Sequence, residues 1–222
     1  MLKVDFLETF NWEGATRAMR NAFDSWDKSD SLWVFSPDNT RMVWKFGEND
    51  LALASKLGNS YLRSHAKFLR QIIINCDITA PFYWWKQFDT YKVGTVANSQ
   101  STMHTLMKKK ITLDNFSMDG LDDGSDIFIP SRKDILETIG TINYYIEMFQ
   151  RNKDKRYFDA VVKLLPSNFN QLRTVTFNYE VARSMWYDRH DHKLGEWHEL
   201  CQIFEDKLPY FKELCLKKSE DK

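Results

Sequence analysis

The sequence predicts a mixed α+β fold, a single domain over residues 1–222 with a sheet flanked by helices, and three observations predict it. Stretches with helical apolar spacing outnumber strand-like runs. Hydrophobic residues make up 43% of the chain and aromatic residues 15%, enough for a large core in 222 residues. Glycine and proline are sparse, eight and five, and no repeat, low-complexity segment or linker-like stretch divides the chain.

The elements follow in order. Glu13–Trp26 reads as a short helix that turns Ala15, Met19 and Ala22 inward. From Leu32 to Phe46, apolar and polar residues alternate around a Pro37-Asp38-Asn39 turn, which predicts a hairpin. Asn49 or Asp50 is placed to cap a helix carrying Leu53, Ala54, Leu57, Tyr61 and Phe68. Ile72-Ile73-Ile74 opens a buried strand ending near Thr79. Ser131 followed by Asp134 resembles a capping box for a helix reaching Phe149. A further helix runs over Lys155–Leu164 and stops before Pro166. Thr174–Phe177 is too short to assign from pattern, and Tyr179–Cys215 reads as helical with breaks near His190–Lys193 and Pro209.

Charge and composition exclude several functions. Basic and acidic side chains number 31 each, so nothing favours a nucleic-acid backbone or an anionic membrane as partner. No apolar run approaches a membrane span, and MLKVDFLETFNW lacks a signal-peptide core. Cys76, Cys201 and Cys215 are odd in number and lack ligand spacing, which fits a reduced, cytoplasmic setting.

The chemistry concentrates in Pro81–His104. Trp84, Trp85, Phe88 and Tyr91 lie among Lys86, Gln87, Lys92, Asn98, Ser99 and Ser101. Flat rings beside ammonium, amide and hydroxyl donors suit a planar heterocycle that carries phosphate. A tryptophan-rich core helix followed by a polar turn gives the same pattern. Gly94 permits close backbone approach.

The stretch DITAPFYWWKQFDTYKVGTVANSQSTMH resembles the central region of the flavin-dependent (alternative) thymidylate synthases. There a strand ends in Ala-Pro, a helix carries Arg-Gln-Trp, and the signature Arg-His-Arg-x-x-Ser-x-Asn-Glu-x-Ser-x-Arg-Tyr follows. Here Ala80-Pro81 matches, Lys86-Gln87-Phe88 stands for Arg-Gln-Trp, and Thr90-Tyr91-Lys92 stands for Arg-His-Arg. Thr95 takes the first Ser, and Asn98 and Ser101 fall on the Asn and second Ser after one inserted residue. Ser99, Met103 and His104 replace the signature Glu, Arg and Tyr. Ala18-Met19-Arg20, Ser64-His65-Ala66-Lys67-Phe68 and Leu165-Pro166 … Asn178 … Arg183-Ser184-Met185 … Trp197 resemble the family's other blocks in order.

The resemblance implies a homotetramer with FAD and dUMP at subunit interfaces, methylenetetrahydrofolate as carbon donor and NADPH as reductant. By position it implies that Gln87, Ser101, the Thr102 backbone and Lys163 contact the nucleotide. His65, Tyr91, Asn98 and Ser99 would contact FAD, with Lys92 and Arg183 at either ligand. By the same resemblance Arg189 and Lys92 would carry the catalytic charge, Arg189 by polarising the uracil. Thr90, Tyr91, Met103 and Val181 depart from the pattern and remove charges or amides. Two further readings accompany this one: a same-fold flavoprotein acting on another pyrimidine nucleotide, and a non-catalytic nucleotide-binding descendant.

Other constellations carry less. His190, His192, Glu196, His198 and Cys201 are the one metal-like cluster, with spacing that fits no established ligand pattern. Asp122, Asp123 and Asp126 around Gly124 lack the closing Glu of a calcium loop. Lys108-Lys109-Lys110 and Lys217-Lys218 read as solvated charge, with a phosphate or folate-tail role open to the first.

Overall fold

The computed structural model describes residues 2–121 and 132–216. Ser131, the acidic residues around Gly124 and Lys217-Lys218 lie outside them. The order is β1 (Lys3–Phe10), α1 (Trp12–Asn21), β2 (Leu32–Phe35), β3 (Met42–Lys45), α2 (Glu48–Gly58), β4 (Ile73–Pro81), α3 (Phe82–Phe88), β5 (Val96–Ser99) and α4 (Thr102–Thr105). Then come α5 (Arg132–Asn152), α6 (Lys155–Leu164), β6 (Asn170–Asn178), α7 (Tyr179–Arg189), α8 (Gly195–Lys207) and α9 (Phe211–Cys215). A four-stranded sheet has the order β1-β4-β6-β5, and β2 pairs with β3 as an antiparallel hairpin with Trp33 opposite Trp44. The α+β expectation holds.

In β4 the pattern has period two: Ile74, Cys76, Ile78 and Ala80 are fully buried while the residues between them are half-exposed. Its polar face bonds to β6, through Asp77 to Thr174 at 2.6 Å and Asn75 to Thr176 at 2.8 Å. The alternation of polar and apolar residues over Asn170–Asn178 is less regular, which is why a strand twice the length of Thr174–Phe177 escapes pattern reading.

By backbone contacts the chain forms two compact units. The first holds Met1–Asp5, Asp77–Thr90 and Ala97–Thr174. Its core is Leu106, Ile111, Phe116, Ile139, Ile142, Ile146, Val161 and Phe169, with α5 packed on α6. Asn143 of α5 clamps Ile111 by two backbone bonds of 2.9 Å. The α3 rings of Trp84, Trp85 and Phe88 are buried here, and Trp85 donates its indole N–H to the Gln171 carbonyl at 3.0 Å. Arg173 covers the same indole at 4.3 Å.

The second unit holds Phe6–Cys76, Tyr91–Val96 and Val175–Lys222. Trp12 packs edge-on against Phe46, Tyr179 and Tyr210, and the buried Tyr179 hydroxyl donates to the Pro209 carbonyl at 2.8 Å. Two sequence expectations are corrected here. Helix α1 stops at Asn21, just before Asp24 takes a left-handed φ of 46°, so Ala22 is exposed and Trp26 sits in a separate 3-10 turn. Helix α2 starts after Gly47 and ends at Gly58, leaving Tyr61 91% exposed and Phe68 in a 3-10 turn over His65–Gln71. The cap comes from afar: the Asp30 carboxylate accepts the N–H groups of Asn49 and Asp50 at 2.9 and 3.0 Å.

Asp50 is therefore free for another task. Fully buried, it accepts from Arg20 Nε at 2.5 Å, from the Ser29 and Ser31 hydroxyls at 2.6 Å each, and from the Ser31 N–H at 3.2 Å. Burial pushes its pKa up, but the bonds from Ser29, Ser31 and Arg20 reverse that and hold it below the ordinary value. Asp50→Asn leaves Arg20 without its charge partner and is expected to cost roughly 3–5 kcal/mol in denaturant unfolding. Because the folded pKa is depressed, this stabilisation is whole above the unfolded value of about 3.9 and is lost as pH falls through the lower folded one. The stability difference between native chain and Asp50→Asn should accordingly shrink below about pH 4.

Candidate functional site

Within the second unit, an open cleft of about 520 Å³ lies along one face of α7. Asn178 caps that helix by accepting the Val181 N–H at 3.0 Å. Glu180, Arg183, Ser184, Tyr187 and Asp188 then fall on the cleft side, at the spacing of one helix face. Gly58–Tyr61, Arg63, Arg70, Tyr91, Val93 and Cys215 supply the remaining walls. Gly94, at φ +80°, lets the Tyr91–Val96 segment pass close to α7: a Cβ there would stand 3.0 Å from Asn178 Nδ2.

Each charged group has a defined partner or none. The Arg183 Nη1 donates to the Gly58 carbonyl at 2.5 Å. Arg70 and Glu180 meet as a two-point fork, with the Nη2–Oε1 bond at 3.2 Å. Arg63 has no ion-pair partner among the described residues. The Tyr91 hydroxyl donates to Asp188 at 3.2 Å and accepts from Arg189 Nε at 3.1 Å. Burial raises the Tyr91 phenol above its usual pKa despite the bond and charge of Arg189. The Arg189 guanidinium also lies 5.2 Å from the buried Trp197 ring. Burial pushes the Cys215 thiol far up, and Cys201 up to about 12, so neither supplies a thiolate at neutral pH.

The structure brings together Tyr91 and Arg183 on the cleft and Arg189 through Tyr91. His65 joins them by its ring bond to Ser60 at 3.1 Å, and Lys92 is exposed beside Tyr91. Gln87, Asn98, Ser99, Ser101, Thr102 and Lys163 belong to the first unit. There the Gln87 carbonyl accepts from the Thr90 N–H and hydroxyl, Asn98 and Ser99 are exposed on β5, Ser101 and Thr102 open α4, and Lys163 is exposed near the end of α6. Sequence reasoning passed over Arg63, Arg70, Glu180, Tyr187 and Asp188. For the α7 residues the signal was present, with Glu180 and Tyr187 three and four positions from Arg183 and Asp188 four from Ser184; Arg63 and Arg70 had none.

In the metal-like cluster, His190 stacks flat on Trp186 at 4.3 Å and His192 Nδ1 accepts the Leu194 N–H at 3.1 Å. Among the described residues, no three His, Cys, Asp or Glu side chains are grouped to hold a metal ion.

Gly58, on the cleft wall, leaves no room for a side chain. A Cβ on it would lie 2.1 Å from the Leu214 carbonyl oxygen, so α2 and α9 touch backbone to backbone. Gly58→Ala is expected to cost about 1–3 kcal/mol in thermal or denaturant unfolding and to displace the carbonyl that anchors Arg183.

No family model matches the chain, and no curated protein matches it. Solved structures do. Thymidylate synthase X (ThyX) from Helicobacter pylori, solved with FAD and dUMP, is 17% identical with a TM-score of 0.67, over 98% of this chain and all of its own. A second structure of the flavin-dependent thymidylate synthase ThyX from Helicobacter pylori, also with FAD and dUMP, is 18% identical with a TM-score of 0.66, over 97% of this chain and 100% of its own. The UMP/dUMP methylase PolB from Streptomyces cacaoi, bound with 5-Br dUMP, is 14% identical with a TM-score of 0.59, over 92% of this chain and 88% of its own. Across nearly its whole length, the chain has the fold of the flavin-dependent thymidylate synthase ThyX.

Proposed function

We propose that the protein is a flavin-dependent enzyme that methylates a pyrimidine nucleotide, converting dUMP to dTMP with methylenetetrahydrofolate as carbon donor and NADPH as reductant. The observation that carries the reading is the α7 cleft, where Tyr91, aligned by sequence with a flavin-contacting position, and Arg183, aligned with one that meets flavin or nucleotide, share one wall system with Arg63 and Arg70. The fold adds support, since its likenesses are solved with FAD and dUMP or with a dUMP analogue.

The donor set fits the group. Three tyrosine rings, Tyr61, Tyr91 and Tyr187, offer flat faces for a ring system, and three guanidiniums offer charge for phosphates. Tyr91, Arg183, Arg63 and Arg70 would hold the cofactor, with His65, Asn98 and Ser99 as further contacts. The chemistry that FAD supplies when bound is hydride transfer. The work of the chain is positioning and charge. Gln87, Ser101, Thr102 and Lys163 would hold the nucleotide, and Lys92 would place a point charge where the signature carries a forked arginine. Arg189 would act on the pyrimidine, drawing on the same guanidinium that bonds Tyr91. The active assembly in this reading is a cytoplasmic homotetramer with ligands at subunit interfaces.

The PolB likeness favours a second reading, in which the nucleotide is UMP or another pyrimidine nucleotide. Absorption from 300 to 550 nm with added FAD and then nucleotide tests both. A flavin band that shifts on adding dUMP is expected; a shift with UMP alone selects the second reading, and no flavin binding at saturation leaves a non-catalytic binding role. Tritium release from C5-labelled dUMP then reports the reaction itself. Arg183→Ala and Lys92→Ala should each weaken flavin or nucleotide binding by about 1.5–3 kcal/mol without unfolding the protein. Native affinity in both variants moves the site elsewhere.

A further inference from the structure

The second unit holds another groove, of about 420 Å³, a size typical of small-molecule sites. It lies between Leu7–Trp12 and Arg41–Trp44 and shares no lining residue with the α7 cleft. Trp33 and Trp44 stand opposite each other in the hairpin register, so both side chains are on one face, their rings edge to face at 5.4 Å. Trp12 adds a third indole to the lining. All three indole N–H groups are already bonded within the chain: Trp12 to Thr9 Oγ1 at 3.0 Å, Trp33 to Glu13 Oε2 at 3.0 Å and Trp44 to Thr16 Oγ1 at 3.2 Å. The rings are therefore fixed in advance and offer a ligand apolar surface alone. Trp33 and Phe10 each keep nearly half of their surface in water, which a ligand would cover.

Charge then selects the ligand. Electron-rich indole faces by themselves draw organic cations. The lining, however, sets one carboxylate, Glu8, against two exposed cations, Arg41 and Lys207. Arg41 stands 3.7 Å from Glu8, beyond hydrogen-bond range, so its forked donors remain open. The Lys207 ammonium has no ion pair or hydrogen bond among the described residues.

We propose that this groove is a ligand site separate from the α7 cleft and that it takes a flat aromatic acid. The indoles hold the ring, Arg41 receives the carboxylate through its fork, and Lys207 adds a point charge. One carboxylate on the ligand balances the surplus cation of the lining. The assignment stands whether or not the α7 cleft binds flavin.

The test uses three probes with one ring system: naphthoate, neutral naphthylmethanol and cationic naphthylmethylammonium, each titrated into the full-length chain by calorimetry. Naphthoate is expected to bind about tenfold more tightly than naphthylmethanol, the scale of one charge-assisted hydrogen bond, and the ammonium probe more weakly than either. The preference for naphthoate should shrink in high salt. Arg41→Gln and Lys207→Gln, both at exposed positions, should each lower naphthoate affinity about fivefold to tenfold and leave naphthylmethanol unmoved. Trp33→Ala should weaken naphthoate and naphthylmethanol alike, and the two charge variants carry the test if that chain does not fold. Arg183→Ala, in the α7 cleft, should leave naphthoate affinity at the native value. No saturable naphthoate binding, tighter binding of the ammonium probe, native naphthoate affinity in both charge variants, or a tenfold loss in Arg183→Ala each overturns the proposal.

Discussion

The backbone contact between Gly58 and Leu214 is the constraint on which the cleft depends. A hydrogen in place of a side chain lets the end of α2 rest on α9, and four further bonds cluster at that approach. The Gly58 carbonyl holds Arg183. Asn59 spans Ser55 and Glu213 with its amide, at 3.0 and 2.7 Å, and Ser55 donates to the same Glu213 carbonyl. Ser60, next along, positions His65 and the start of the following 3-10 turn. One residue without a Cβ therefore fixes the wall opposite α7, and the arginine that crosses to it.

Charge in the second unit is organised on one principle at two depths. In the interior, Arg20 and Asp50 form a pair that removal of either member would leave uncompensated, and three hydrogen bonds from two serines complete the carboxylate's shell. At the cleft, Arg70–Glu180 pairs through two points where Arg20–Asp50 uses one, but water reaches the arginine, so the pair contributes little to stability and is available for exchange. Burial, more than the identity of the ions, separates a structural pair from one that a ligand can open.

The sequence disclosed the fold more fully than the site, for physical reasons. Local sequence found α6 at its observed bounds, the β2–β3 hairpin and, from the β-branched run Ile72-Ile73-Ile74, the existence of β4. It failed where non-local contacts decide: Asp30 caps α2 from nineteen and twenty residues away, and the 3-10 turn over His65–Gln71 breaks what reads as one continuous helix. β1, with an exposed Phe6 at φ 49°, and the short, exposed β5 carry no alternation to read. Of the site, Tyr91 and Arg183 were found through motif order and Arg189 adjoins them, whereas Arg63 and Arg70 enter only because the chain folds back on α7.

The Tyr91–Arg189–Trp197 arrangement has an optical consequence. Tyr91 forms part of the cleft wall, and its ring centre lies 6.1 Å from that of Trp197, an indole fully sealed from solvent. The Arg189 guanidinium bonds the phenol and faces the indole. A displacement of the phenol therefore changes the field at a chromophore that no solute can touch. Once the emission of Trp197 is separated from that of the other seven tryptophans, it becomes an internal gauge of cleft occupancy.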